Sequence, residues 1–138
     1  MTVLYLGPGW GRQALERLRT DPRVSDAVQG LSVRVLTKVT DAPTDRYTWL
    51  YAAFEDGRIA EARMGHDGDA ALAELPPPTF TIEGPYDAFA AVQRGELTER
   101  RALLSGRLKL HGSRLTALRF MARLEAVTEV LSEIPCAT

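Results

Sequence analysis

A chain of 138 residues with net charge −1, 45% hydrophobic and 25% charged side chains has the make-up of one globular domain. Such a chain buries about two-thirds of the surface its unfolded form exposes, so it needs no disulfide, and its single cysteine, Cys136, fits a reducing compartment. The start, MTVLYLGPGW, lacks the basic opening and the length of a secretion signal, and no run approaches the ~18 apolar residues of a membrane span, so a cytoplasmic protein is expected.

Trp10, Ala14, Leu15 and Leu18 share one face at helical spacing and predict a helix over 10–19. Asp21-Pro22 restarts the chain, with Asp21 as N-cap and Pro22 at the first helical position. That second short helix runs through Val24, Ala27 and Val28 and stops near Gly30. Val33, Val35, Thr37 and Val39 alternate with Arg34, Leu36 and Lys38, which is strand periodicity over 32–41. A turn at 41–45 leads to an aromatic-rich strand over 47–55 that is apolar on both faces. Asp56-Gly57 is a hairpin signal into a third strand over 58–64, so 32–64 reads as a three-stranded antiparallel meander.

Residues 65–78 read as a loop whose Pro76-Pro77-Pro78 forces an extended approach to a short strand over 80–83. A helix over 86–94 follows, with Tyr86, Phe89, Ala90 and Gln93 on one face and Gly95 as its stop. Thr98 caps a short helix through Ala102, Leu103 and Leu104, closed by Gly106. Leu108 and Leu110 alternate with basic neighbours in a half-buried strand over 107–111. Ser113 then caps a long helix, about 113–134, with Leu115, Leu118, Met121, Leu124, Val127, Leu131 and Ile134 on one stripe.

Chemistry-bearing groups are sparse. The glycines at 7–11 start like a dinucleotide loop, but the third position of that fingerprint is Arg12, Pro8 stiffens the turn, and no acid closes a second strand. His66, Asp67 and Asp69 offer ligand types without the oxygen alternation of a calcium loop or the second cluster of a zinc site. With His66 and His111 as its two histidines, the chain has no convincing nucleophile–base pair, so neither an enzyme nor a cofactor or metal is expected.

Charge is distributed unevenly. Residues 40–93 carry ten acids and three bases, whereas 94–123 carry eight bases against Glu96 and Glu99. A solvated face is the ordinary reading of such a run, and a patch for anionic headgroups the sharper one. Nucleic acid is a poorer fit, because exposed aromatics are not interleaved with the bases.

Trp49, Tyr51, Phe54, Phe80, Phe89, Leu104, Leu108, Leu110, Leu118, Met121 and Leu124 exceed what one thin sheet needs to cover itself. They are either core or the lining of a cavity. Three motifs bear on that choice: Thr48-Trp49 before Asp56-Gly57; Phe80, Ile82 and Gly84 before Gly95-Glu96-Leu97; and the run Gly106 to Gly112. In order and spacing they resemble the type-two sterol carrier protein family of non-specific lipid carriers, and Trp10 with Asp21-Pro22 looks like its bacterial single-domain members. The resemblance covers 1–125. It implies an α/β (α+β) fold in which about five helices pack on a five-stranded, mostly antiparallel sheet around an apolar tunnel. It also implies carriage of a fatty acid, acyl-CoA, sterol-like molecule or other lipid without catalysis.

On that reading the whole chain, 1–138, is one lipid-binding domain, and the apolar set above lines the tunnel. Arg94, Arg100 and Arg101 are the candidate headgroup contacts. The helical turns beyond the family's usual end would cover the tunnel mouth or make a subunit contact. The alternative is a non-binding accessory module that dimerises through this helix, and cutting after Arg123 would then abolish association.

Overall fold

The computed structural model describes residues 2–138. Seven strands and six helices follow in the order β1 (Val3–Leu4), α1 (Pro8–Thr20), α2 (Pro22–Ala27), β2 (Ser32–Thr40), β3 (Trp49–Glu55), β4 (Arg58–Gly65), α3 (Ala70–Glu74), β5 (Phe80–Pro85), α4 (Tyr86–Gln93), α5 (Glu99–Leu104), β6 (Lys109–Gly112), α6 (Arg114–Ser132) and β7 (Cys136–Ala137). The main sheet has five strands in the order β4-β3-β2-β5-β6. Every pairing in it is antiparallel except β2 with β5.

Local chemistry explains most of the boundaries. Asp56 and Gly57 both take positive φ (43° and 82°), the backbone that a two-residue hairpin turn needs. Asp21 accepts the Arg23 amide, Thr98 that of Arg101 and Ser113 that of Thr116, so three helices start on capped amides. The meander over 32–64 forms as its alternation predicts, with Val33 opposite Phe54 and Leu50 opposite Met64.

The chain differs from the sequence expectation in five places. The first helix begins at Pro8, which supplies the fixed φ of a first helical turn. The 65–78 loop contains α3, and the strand expected over 107–111 starts at Lys109. β1 and β7 form a separate parallel pair that joins the two ends of the chain. On α6 the buried stripe is Ala117, Met121, Leu124, Val127 and Val130, and Leu115 and Leu118 lie outside it at 80% and 69% exposure. The small Ala117, with no accessible surface, is what lets the helix approach its neighbours, and this rotates both leucines outward.

Two apolar clusters sit on opposite faces of the sheet. The larger contains Trp10, Val33, Phe54, Phe80, Ile82, Phe89, Leu108 and Leu124, and the smaller contains Leu36, Trp49, Tyr51 and Ala53 covered by Leu72 and Leu75. This second cluster accounts for β3 being apolar on both faces. Trp49 lies against Gly65 across the β3–β4 pair, and its Nε1–H donates to the His66 carbonyl at 3.0 Å.

Candidate functional site

The strand register brings one set of side chains to the face beneath the helices. Val35 stands opposite Ala52 and Phe80, Thr37 opposite Leu50 and Ile82, and Leu50 opposite Met64. Trp10, Leu15 and Leu18 of α1, Phe89, Val92 and Gln93 of α4, and Leu124, Val127, Thr128 and Leu131 of α6 cover that face. A cavity of about 140 Å³ remains between the two layers. A dry apolar void of about 150 Å³ takes one benzene ring. A space of this size takes a ring or a few methylenes, and a longer chain needs more room than lies between helices and sheet here.

Of the apolar set expected from the sequence, Phe54, Phe89 and Leu124 line this cavity. Tyr51 borders it only through the strand, because its side chain lies in the opposite-face cluster and its hydroxyl donates to the Pro76 carbonyl at 3.0 Å. Trp49 belongs to that same opposite face. Phe80 is core, 1% exposed, and outside the lining. The remaining five residues, Leu104, Leu108, Leu110, Leu118 and Met121, come together elsewhere, along a surface groove of about 560 Å³ between α5, β6 and α6. Leu104, expected inside, is 82% exposed because it ends the short α5 just before the turn at Gly106.

The cavity also has a polar end that sequence reasoning missed. Trp10 is 2% exposed, yet its Nε1–H has no hydrogen-bond partner among the described residues. The Tyr5 ring meets Trp10 edge-on at 5.1 Å between centroids. Glu99 Oε1 accepts the Thr128 hydroxyl, and both residues line the cavity. Burial raises the Glu99 pKa above its ordinary value of 4.5, with the Glu125 charge adding to the rise and the Thr128 bond opposing it. Gln93 is the buried polar residue of α4, and its Nε2 donates to the Leu131 carbonyl at 3.2 Å, tying α4 to the end of α6. One signal in the sequence bore on Glu99: an acid standing in the first turn of a capped helix at the head of a basic run.

None of the three headgroup arginines lines the cavity. Arg94 pairs with Glu96 at 2.6 Å and donates to Thr138 Oγ1 at 2.9 Å, so it anchors the tail. Arg100 pairs with Glu125 at 3.3 Å beside the groove, and Arg101 is exposed on α5. The other candidates have structural partners as well. His111 pairs with Glu83 across the β5–β6 edge at 3.2 Å, and Asp69 accepts the His66 amide at 2.7 Å to shape the loop before α3. The turns of α6 beyond Arg123 form the cavity wall, since Leu124, Val127 and Leu131 line it and Val130 and Ile134 are buried at 2%.

A mostly antiparallel five-stranded sheet with one parallel pairing, roofed by helices over an apolar interior, defines the class as an α+β domain with an internal cavity. The chain belongs to the SCP-2 sterol transfer family, whose pattern it matches over residues 12–125. No curated protein matches it in sequence. In fold it is similar to a conserved hypothetical protein of Thermus thermophilus (TM-score 0.73, 17% identity, 96% of this chain and 90% of that one). It is also similar to sterol carrier protein 2 (TM-score 0.72, 18% identity, 91% and 95%). The palmitated SCP2L2 protein of Aedes aegypti aligns over 99% of this chain and 100% of its own, at 15% identity and TM-score 0.51. Family membership supports lipid binding or transfer in general.

Proposed function

We propose that this protein is a non-catalytic carrier that sequesters an apolar ligand between its sheet and its helices. The observation that carries the reading is the cavity of about 140 Å³, whose walls are mostly aliphatic and aromatic. Moving apolar surface out of water supplies the affinity, at roughly 0.8 kcal/mol per buried methylene. Ten such groups, less the cost of ordering the ligand and opening the helices, correspond to about micromolar binding. The palmitate held by the similar Aedes aegypti protein supports a fatty acyl chain as one ligand class. Catalysis is not part of the proposal, because the cavity's one carboxylic acid, Glu99, faces a threonine and not a histidine, cysteine or second acid. The lone thiol of Cys136, partly buried, fits work in the cytoplasm.

The test combines native mass spectrometry of freshly purified protein with displacement of a fluorescent fatty acid. Co-purified lipid, saturable displacement and a raised melting temperature are expected, since ligand at a hundred times its Kd adds about 2.7 kcal/mol. A probe that neither binds nor shifts the melting temperature at saturating lipid would remove the proposal.

A further inference from the structure

Residues 100–124 contain seven arginines and lysines and no aspartate or glutamate. Within that segment, Arg101, Arg107, Lys109, Arg114 and Arg119 are exposed. None of the five forms an ion pair among the described residues. Three of the large exposed apolar side chains, Leu104, Leu115 and Leu118, stand among them. Leu104 and Leu118 line the groove between α5, β6 and α6, whose floor is Leu108 and Met121, and Leu115 stands beside Arg114 of the same lining. β6 is also an edge strand, so nothing of the sheet continues past it. An apolar groove that shares its lining with the unpaired cations Lys109 and Arg114 is the kind of surface that marks an interaction site.

We propose that the α5–β6–α6 face docks the protein on an anionic bilayer. Leu104, Leu115 and Leu118 enter the headgroup boundary while the surrounding arginines and Lys109 contact lipid phosphates. Amphipathic surfaces of this composition bind by the sum of buried apolar area and attraction to anionic lipid. Each base close to such a surface strengthens binding about fivefold. Charge also argues against a second copy as the occupant. A two-fold interface places the same patch on both sides, setting an acid-free segment against itself. Nucleic acid would satisfy the cations but leave three leucines in water. No helix among the described residues is long and apolar enough to cross a membrane, so this binding is peripheral. The inference stands on surface residues alone and is independent of the carrier reading.

Co-sedimentation with vesicles tests it directly. Vesicles of phosphatidylcholine and phosphatidylserine in equal parts should pellet the protein, pure phosphatidylcholine should not, and high salt should release it. The double variant Leu104→Glu/Leu118→Glu should keep the wild-type melting temperature, since both side chains are exposed, and lose binding about tenfold or more. Arg114→Glu/Arg119→Glu should lose it to a similar degree. Equal binding to both vesicle types, no binding to either, or undiminished binding by both variants would overturn the proposal. A concentration-dependent dimer that Leu118→Glu dissolves, with no vesicle binding, would assign the face to a second copy instead. Cargo displacement measured on the same samples keeps the carrier reading separate from either outcome.

Discussion

Glu99 shows how a single residue escapes sequence reading. In the sequence it is one of two acids in a basic stretch, suited to the first turn of a capped helix. In the fold it lines the cavity, and burial raises its pKa. The folded state therefore holds the proton more tightly than the unfolded chain, where the group titrates near 4.5. Below that value the group costs the fold nothing. As pH rises through the unfolded and then the folded pKa, the unfolded state ionises first and stability is lost. Glu99→Gln keeps the shape and an acceptor for Thr128 while removing this titration. At pH 8 it should raise stability by roughly 1 kcal/mol, the scale of one relieved buried polar group. The gain should shrink towards pH 5, as thermal melts of both proteins across that range would show. A constant difference across the range would mean that Glu99 does not titrate as its surroundings require.

Elements are legible where a period repeats or a cap recurs. Alternation over 32–40 and a turn with two positive-φ residues specify the meander, and Asp21, Thr98 and Ser113 mark helix starts. Two-residue strands carry no period, which hides β1 and β7, and α3 has five residues and no buried one. The α6 stripe is misread at its start because leucine spacing outweighs Ala117, a residue whose small size is its contribution. The apolar set read as one lining is divided between cavity, groove, core and opposite face, because residue type alone does not say which face of a strand or helix is turned inward. Gly84 shows a similar use of small size at the β5–α4 junction. A Cβ there would lie 2.4 Å from Leu108 Cδ2 and 2.9 Å from the Arg107 carbonyl oxygen, and that oxygen is backbone that cannot swing away. Gly84→Ala should therefore destabilise the protein by about 1–3 kcal/mol through overpacking. Urea unfolding measures this, and an unchanged midpoint would mean that the β5–β6 approach is looser than the geometry requires.

At the scale of the whole molecule, the first and last strands pair, and the residues that follow β1 form part of the cavity wall. Val3 pairs with Cys136 and Leu4 with Ala137, and the Tyr5 amide donates to the Ala137 carbonyl at 2.9 Å. This pairing holds Tyr5 and Leu6 beside Trp10 in the lining, while Ile134 is buried at 2% behind α6. Tyr86 and Arg94 reach the tail from α4, donating to the Thr138 main-chain oxygen at 3.3 Å and to its Oγ1 at 2.9 Å. Apart from Tyr86 and Arg94, these residues fall outside 12–125, the span the family pattern matches, so that pattern says nothing of the β1–β7 pair. Cutting after Arg123 would remove Leu124, Val127 and Val130 from the core, and unfolding would mask any effect on association. A gentler cut separates the roles. Removing residues 134–138 deletes the Ile134 side chain, whose class costs about 2–5 kcal/mol when truncated, together with the β1–β7 pair. Ile134→Ala costs part of that and leaves the pair in place. If the tail straps the cavity shut, the deletion should weaken binding of an apolar fluorescent probe well beyond Ile134→Ala, compared at temperatures where both remain folded. Equal probe affinity in the two variants would make the tail a packing element and not a closure, because the strands would then contribute nothing that Ile134 does not.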